Sequence, residues 1–117
     1  MNQKKVTFKK WVKMDIKEFL EIQREFDKKY LEHKNLPVPE QIRHITLHIG
    51  KMIGKFSTYC EQQEHGVSYD LTQIINEAIP DLLMHSLRLS NLLNEDLEEL
   101  YKDRLEILRR KIEKYEG

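Results

Sequence analysis

Apolar positions recur at three- and four-residue intervals through most of the chain, so the sequence reads as helix almost throughout. Asp15, three residues before Glu18, forms the sequence signature of a capping box. Behind it Ile16, Phe19, Leu20, Gln23, Phe26 and Tyr30 make a mostly apolar stripe, and this first helix is expected to end near Lys34-Asn35. Leu36-Pro37-Val38-Pro39 should be extended, because each proline disfavours helix at the residue before it. A second helix then runs from about Glu40 to His65. Ile42, Ile45, Ile49, Met52, Ile53 and Phe56 lie on one face, with Cys60 one turn further on and Gly66 as the stop.

Ser68 or Asp70 can cap a third helix that reaches about Leu93. Pro80 falls inside it, so the helix either kinks there or restarts at the proline. Asn94 is the expected cap of a fourth helix whose first turn is acidic and whose last turns carry Arg109, Arg110, Lys111 and Lys114, an order that suits the helix dipole. Tyr101, Leu105, Leu108, Ile112 and Tyr115 repeat every four and three residues, the seam of a helix laid along another helix. The fold class is therefore all-α: a four-helix bundle over residues 15–117, preceded by a basic N-terminal arm, residues 1–14. Its apolar faces exceed what a small monomer hides, which predicts a homodimer or homotetramer.

At 117 residues the chain is one domain. Twenty basic and twenty acidic residues balance, with no long block of either sign, so bulk attraction to nucleic acid or an acidic membrane is not expected. No uninterrupted run of about 18 apolar residues is present, so no membrane partner is expected. The single cysteine excludes an internal disulfide, and the beginning of the chain lacks an apolar leader. A cytoplasmic, reducing location is the expectation.

Charge placement changes the picture at Asp81. It interrupts the most apolar stretch of the chain, where an unpaired buried carboxylate costs several kcal/mol. If the second and third helices fold back antiparallel about a loop near Val67-Ser68, Lys55 comes near Asp81 and Lys51 near His85. His44, His48, Lys51 and Lys55 share one face of the second helix as a basic strip, and Glu77 lies one turn before Asp81. The lysines can bind phosphate as point charges or form a structural ion pair with Asp81 and Glu77, and the second role is favoured because a buried charge must be neutralised. His44 and His48, joined by His85, have the residue types to ligate a transition metal, but partly exposed histidines on a polar face are the preferred reading. Gly50 and Gly54, spaced G-x-x-x-G, indicate close helix approach or room for a flat ligand. Glu61-Gln62-Gln63-Glu64 reads as solvated surface, and Cys60 as a small buried residue.

The second helix, the apolar third helix around Asp81 and the opening Asn94-Glu95-Asp96-Leu97-Glu98-Glu99 of the fourth together resemble the MazG-like branch of the all-α nucleoside triphosphate pyrophosphohydrolases. That resemblance implies cleavage of nucleoside triphosphates to monophosphate and pyrophosphate, dimers or tetramers, and Mg²⁺ held by an E-x-x-E pair on one helix and an E-x-x-D pair on the next. The first pair would fall on His48-Ile49-Gly50-Lys51 and the second on Ala78-Ile79-Pro80-Asp81. Only Asp81 matches. Asp81 and Glu77 are thus the candidate metal ligands, and His44, His48, Lys51, Lys55, Glu77, Asp81 and His85 the candidate site for a nucleotide or other phosphate. Mg²⁺ prefers hard oxygen donors, so a lysine and an alanine at matching positions predict weak or no catalysis. Three classes follow: a divergent Mg²⁺-dependent pyrophosphohydrolase with unusual ligands, a non-catalytic binder of nucleotide or another anion, and an interaction protein.

Overall fold

The computed structural model describes residues 13–66 and 71–116, and the described residues are all helix and connecting turns. The helices are α1 (Ile16–Tyr30), α2 (Val38–Glu64), α3 (Ile79–Leu92) and α4 (Leu97–Glu116), with a π-helical turn, Ile74–Ala78, leading directly into α3. The helical bundle expected from the periodicity is present. The basic arm up to Val12, the loop centre at Val67-Ser68 and the caps proposed at Ser68 and Asp70 lie outside the described residues.

Helix ends follow local chemistry. At α1 the capping box forms in both directions: Glu18 N donates to Asp15 Oδ1 at 2.9 Å, and Asp15 N donates to Glu18 Oε1 at 3.1 Å. The helix stops at Tyr30, earlier than expected, and the chain turns so that Lys34 Nζ caps the carbonyl of Lys28 at 2.7 Å. The second helix begins at Val38, not Glu40. Pro39 sits in its first turn, where the missing N–H would have had no helical partner and the fixed φ is already helical. Gly66 ends it with φ +67°, in the left-handed region.

Pro80 neither breaks the third helix nor visibly separates two segments; it is absorbed by the π turn. A proline cannot donate to the carbonyl four residues back, and its ring crowds that carbonyl. The widened turn relieves both, with Ile79 N donating to Ile74 O five residues back. Asn94 is not the cap of α4. It is the left-handed residue, φ 56°, that closes α3: Asn94 N donates to Asn91 O at 3.3 Å and Glu95 N to Ser90 O at 2.9 Å. Asp96 caps α4 instead, its Oδ1 accepting from Glu99 N at 3.2 Å.

α3 is the central element. Both α1 and α2 pack on it, α2 also meets the π turn, and α4 touches α1 and α3. The pairs Lys55–Glu77 and His48–His85 fix α2 antiparallel to the helix that follows it. The buried apolar core is small: Ile45 and Met52 of α2 against Ile74, Ala78 and Leu87. Phe19, Leu20, Ile42, Ile49 and Phe56 are half-buried, and much of the remaining predicted apolar surface stays open among the described residues. Ile53 is 59% exposed, Ile75 57% and Ile79 54%, and Cys60 is exposed rather than buried. The seam of α4 from Tyr101 to Tyr115 also finds no cover within the chain.

A candidate anion cleft beside a buried ion pair

Antiparallel packing of α2 on α3 assembles most of the predicted strip. His48, Lys51, Met52 and Lys55 from α2 and Asp81 and His85 from α3 line one cleft of about 430 Å³. Positions 48, 51 and 55 follow at intervals of three and four, so they share the edge of α2 that borders this cleft, and Met52, one position on, floors it. Asp81 and His85 are one turn apart on α3, just past the π turn that carries Glu77.

The lysines and acids do not pair as the apolar context of Asp81 predicts. Lys55 Nζ donates to Glu77 Oε1 at 2.8 Å, and that ion pair occupies the rim. Asp81 is half-buried and has no ion pair among the described residues. The reason is the register in which α2 meets the third helix: Lys55 lies beside Glu77 and His48 beside His85, one turn away from the expected pairing of Lys55 with Asp81 and Lys51 with His85. Asp81 borders the open cleft and is only half-buried, so it is not an ion stranded in the interior. Asp81→Ala is therefore expected to change stability by less than about 1 kcal/mol, within the range of surface substitutions, as read from a urea denaturation midpoint. A loss of 3 kcal/mol or more would show a buried, paired carboxylate.

The histidines split into two stacks. The rings of His48 and His85 stack across the α2–α3 contact with centroids 5.9 Å apart and 19° between planes. His44 instead faces His33, from the turn after α1, at 3.7 Å and 13°. These two border a narrow space of about 50 Å³ together with His48 and Arg88. Parallel rings turn their nitrogens edgewise rather than toward a common point, and among the described residues no group of three or more His, Cys, Asp or Glu is placed to hold a metal ion. Of the two carboxylates expected to hold a metal, Asp81 lines the cleft and Glu77 is engaged by Lys55 at its rim.

Arg88 is the functional neighbour that the sequence does not announce. Its Nε donates to both oxygens of Asp27 on α1 at 3.0 Å, and its Nη2 donates to Oδ1 at 2.8 Å. Gln23 Nε2 adds a further donation to Asp27 Oδ1 at 2.9 Å. The remaining Arg88 nitrogen, Nη1, lies 3.5 Å from His85 Nδ1. His85 is buried. Burial, then Arg88, then His48 hold its pKa below the ordinary histidine value, against smaller opposing pulls from Asp81 and Asp27. The unfolded chain therefore takes up a proton at His85 before the folded chain does. This contribution to stability is present above the ordinary histidine pKa and is lost as pH falls through the folded one.

Gly50 and Gly54 do not mediate close approach within the chain, because a Cβ on either would meet nothing within 4 Å. Among the described residues no helix is long and apolar enough to cross a membrane. No protein-family model matches the chain, and no curated protein or solved structure matches it.

Proposed function

We propose that this chain is a divergent MazG-like protein that binds a phosphate-bearing anion in the cleft between α2 and α3, does not cleave it by the family's Mg²⁺ route, and works as a homodimer. One observation carries the reading: His48, Lys51, Lys55 and His85 converge on a single cleft in which Asp81 is the only carboxylate among the described residues. Lysine ammonium groups bind phosphate as point charges, and imidazoles donate to its oxygens. Asp81 is left to accept from an N–H or O–H elsewhere on the ligand.

The donor set does not fit Mg²⁺. That ion takes carboxylate and water oxygens, and here one carboxylate stands among two ammonium groups and two imidazoles, with Glu77 engaged by Lys55. Without a metal to bridge phosphate oxygens and activate water, the arrangement supports binding rather than hydrolysis.

The expected result is a rise in melting temperature with inorganic pyrophosphate or a nucleoside triphosphate in the absence of metal. The rise should disappear in Lys51→Glu/Lys55→Glu, with no monophosphate produced when Mg²⁺ or Mn²⁺ is added. Robust Mg²⁺-dependent monophosphate production, abolished by Asp81→Asn, would overturn this reading in favour of an active enzyme with replacement ligands.

The homodimer rests on the opposite side of the same two helices. Ile49, Ile53 and Phe56 of α2 and Ile75, Ile79 and Leu82 along the third helix form adjacent apolar stripes turned away from the cleft. Gly50 and Gly54, with open space over them, leave α2 accessible to close approach by another helix.

A further inference from the structure

The cleft holds a feature that two lysines alone would not need: a pair of stacked imidazoles set between the anion site and a buried guanidinium. We infer that anion capture at this cleft is proton-linked, the stacked His48–His85 pair taking up one proton as a phosphate-type dianion enters. The inference rests on the anion-binding reading above.

The groups facing the pair come from three helices and the turn after α1. Arg88 and Asp81 lie on α3 with His85; Lys51, Lys55 and His44 stand on α2 with His48; His33, from the turn after α1, stacks on His44 beside His48; and Asp27 reaches in from α1 through Arg88. Lys55 is neutralised by Glu77 and Arg88 by Asp27, which leaves Lys51 and Asp81 as the unpaired charges beside the rings among the described residues. In the empty cleft, a proton on His85 would lose hydration and place a cation 3.5 Å from Arg88 Nη1, where the neutral ring's Nδ1 now serves as acceptor. The empty state therefore favours a neutral His85.

A bound dianion reverses the balance. Its charge lies in the cleft that both rings border, and a protonated imidazole gives it a charge-assisted hydrogen bond. One imidazolium stacked on one neutral ring is an acceptable cation–π arrangement, whereas two facing imidazoliums repel, so the pair takes one proton and not two. The proton comes from solvent and resides on a ring nitrogen of the pair; no covalent bond forms or breaks. Linkage then requires affinity to rise as pH falls, by no more than about tenfold per pH unit for one proton.

Sulfate is the suitable probe, because it remains a dianion throughout the pH range in question and any proton taken up must go to the protein. Calorimetric titration of the full chain with sulfate at pH 7.5 and 5.5, in two buffers of different ionisation enthalpy, should give about tenfold tighter binding at the lower pH. It should also give net uptake approaching one proton. His48→Gln, at an exposed position, should bind sulfate less tightly than the parent at pH 5.5, with a flattened pH dependence and no proton uptake. His85→Gln should likewise lose the uptake, with circular dichroism reading its fold. Equal affinity at both pH values with no proton uptake would overturn the linkage while leaving an anion site. Absence of sulfate and pyrophosphate binding at either pH would overturn the site itself, and the linkage with it.

Discussion

Replacing Arg88 with alanine is expected to cost about 3–5 kcal/mol of folding stability, because it strands Asp27 in the interior without its partner. The side chains of Arg88 and Asp27 retain only 10% and 14% of their exposure, and the guanidinium holds the carboxylate through three donations. The pair joins α1 to the central helix across a core with few buried apolar residues, so little else compensates for its loss. A domain of this size has about 5–15 kcal/mol of total stability, which places the variant near the folding threshold. Urea unfolding followed by circular dichroism measures the difference. Asp27→Leu/Arg88→Leu should recover much of the loss, since removing both charges leaves no unpaired ion. A loss below 1 kcal/mol in Arg88→Ala would mean that solvent reaches Asp27 and that the pair does not hold the helices together.

That ion pair also marks where sequence reading stops. Local rules located the capping box at Asp15 and Glu18, the stop at Gly66 and the disturbance at Pro80, because each depends on residues within one or two turns. The fold-back geometry gave the antiparallel pairing and brought Lys51, Lys55, Asp81 and His85 to one cleft, but its register is one helical turn off: Lys55 meets Glu77 rather than Asp81, and His48 rather than Lys51 faces His85. It did not decide which acid Lys55 takes. That choice belongs to the register of the two helices, which sets Lys55 beside Glu77 and His48 beside His85 and depends on how the connecting loop closes rather than on any local spacing. Arg88 and Asp27 are 61 residues apart, and in sequence Arg88 only interrupts an apolar run. The available signal was Gln23 within the stripe of α1, with Asp27 one turn later: two polar groups on a face that packs against α3. Asn94 was misplaced for a different reason. Asparagine suits both a helix N-cap and a left-handed helix end, and the hydrogen bonds to Asn91 and Ser90 select the second.

Periodicity also indicated more apolar surface than the chain covers. The covered part is the α2–α3 contact around Ile45, Met52 and Ala78, and the uncovered part lies beside it on the same two helices. One side of this helix pair carries the ionisable cleft and the other the apolar stripes. In the proposed dimer a second copy docks on the apolar side, clear of the proposed anion site, so anion binding and assembly are expected to be separable by mutation.

Ile53→Glu is accordingly expected to convert the dimer to monomer while leaving helix content and anion binding intact. Ile53 is 59% exposed within the chain, so the substitution removes little intramolecular packing. At a two-fold interface the same side chain is buried twice. The 59% of each isoleucine left to bury is worth about 0.9–1.8 kcal/mol, so losing two weakens the dimer by about twentyfold or more before the cost of desolvating two carboxylates is counted. Ile79→Glu, at 54% exposed on the adjacent stripe, should act in the same direction, whereas Tyr115→Glu on the distal end of α4 should not. Light scattering on a size-exclusion column at micromolar protein reads the mass directly, with circular dichroism as the check on folding. If the parent chain is already a monomer, or if both glutamate variants at Ile53 and Ile79 retain the dimer mass, the apolar side of α2 and α3 is not the assembly surface.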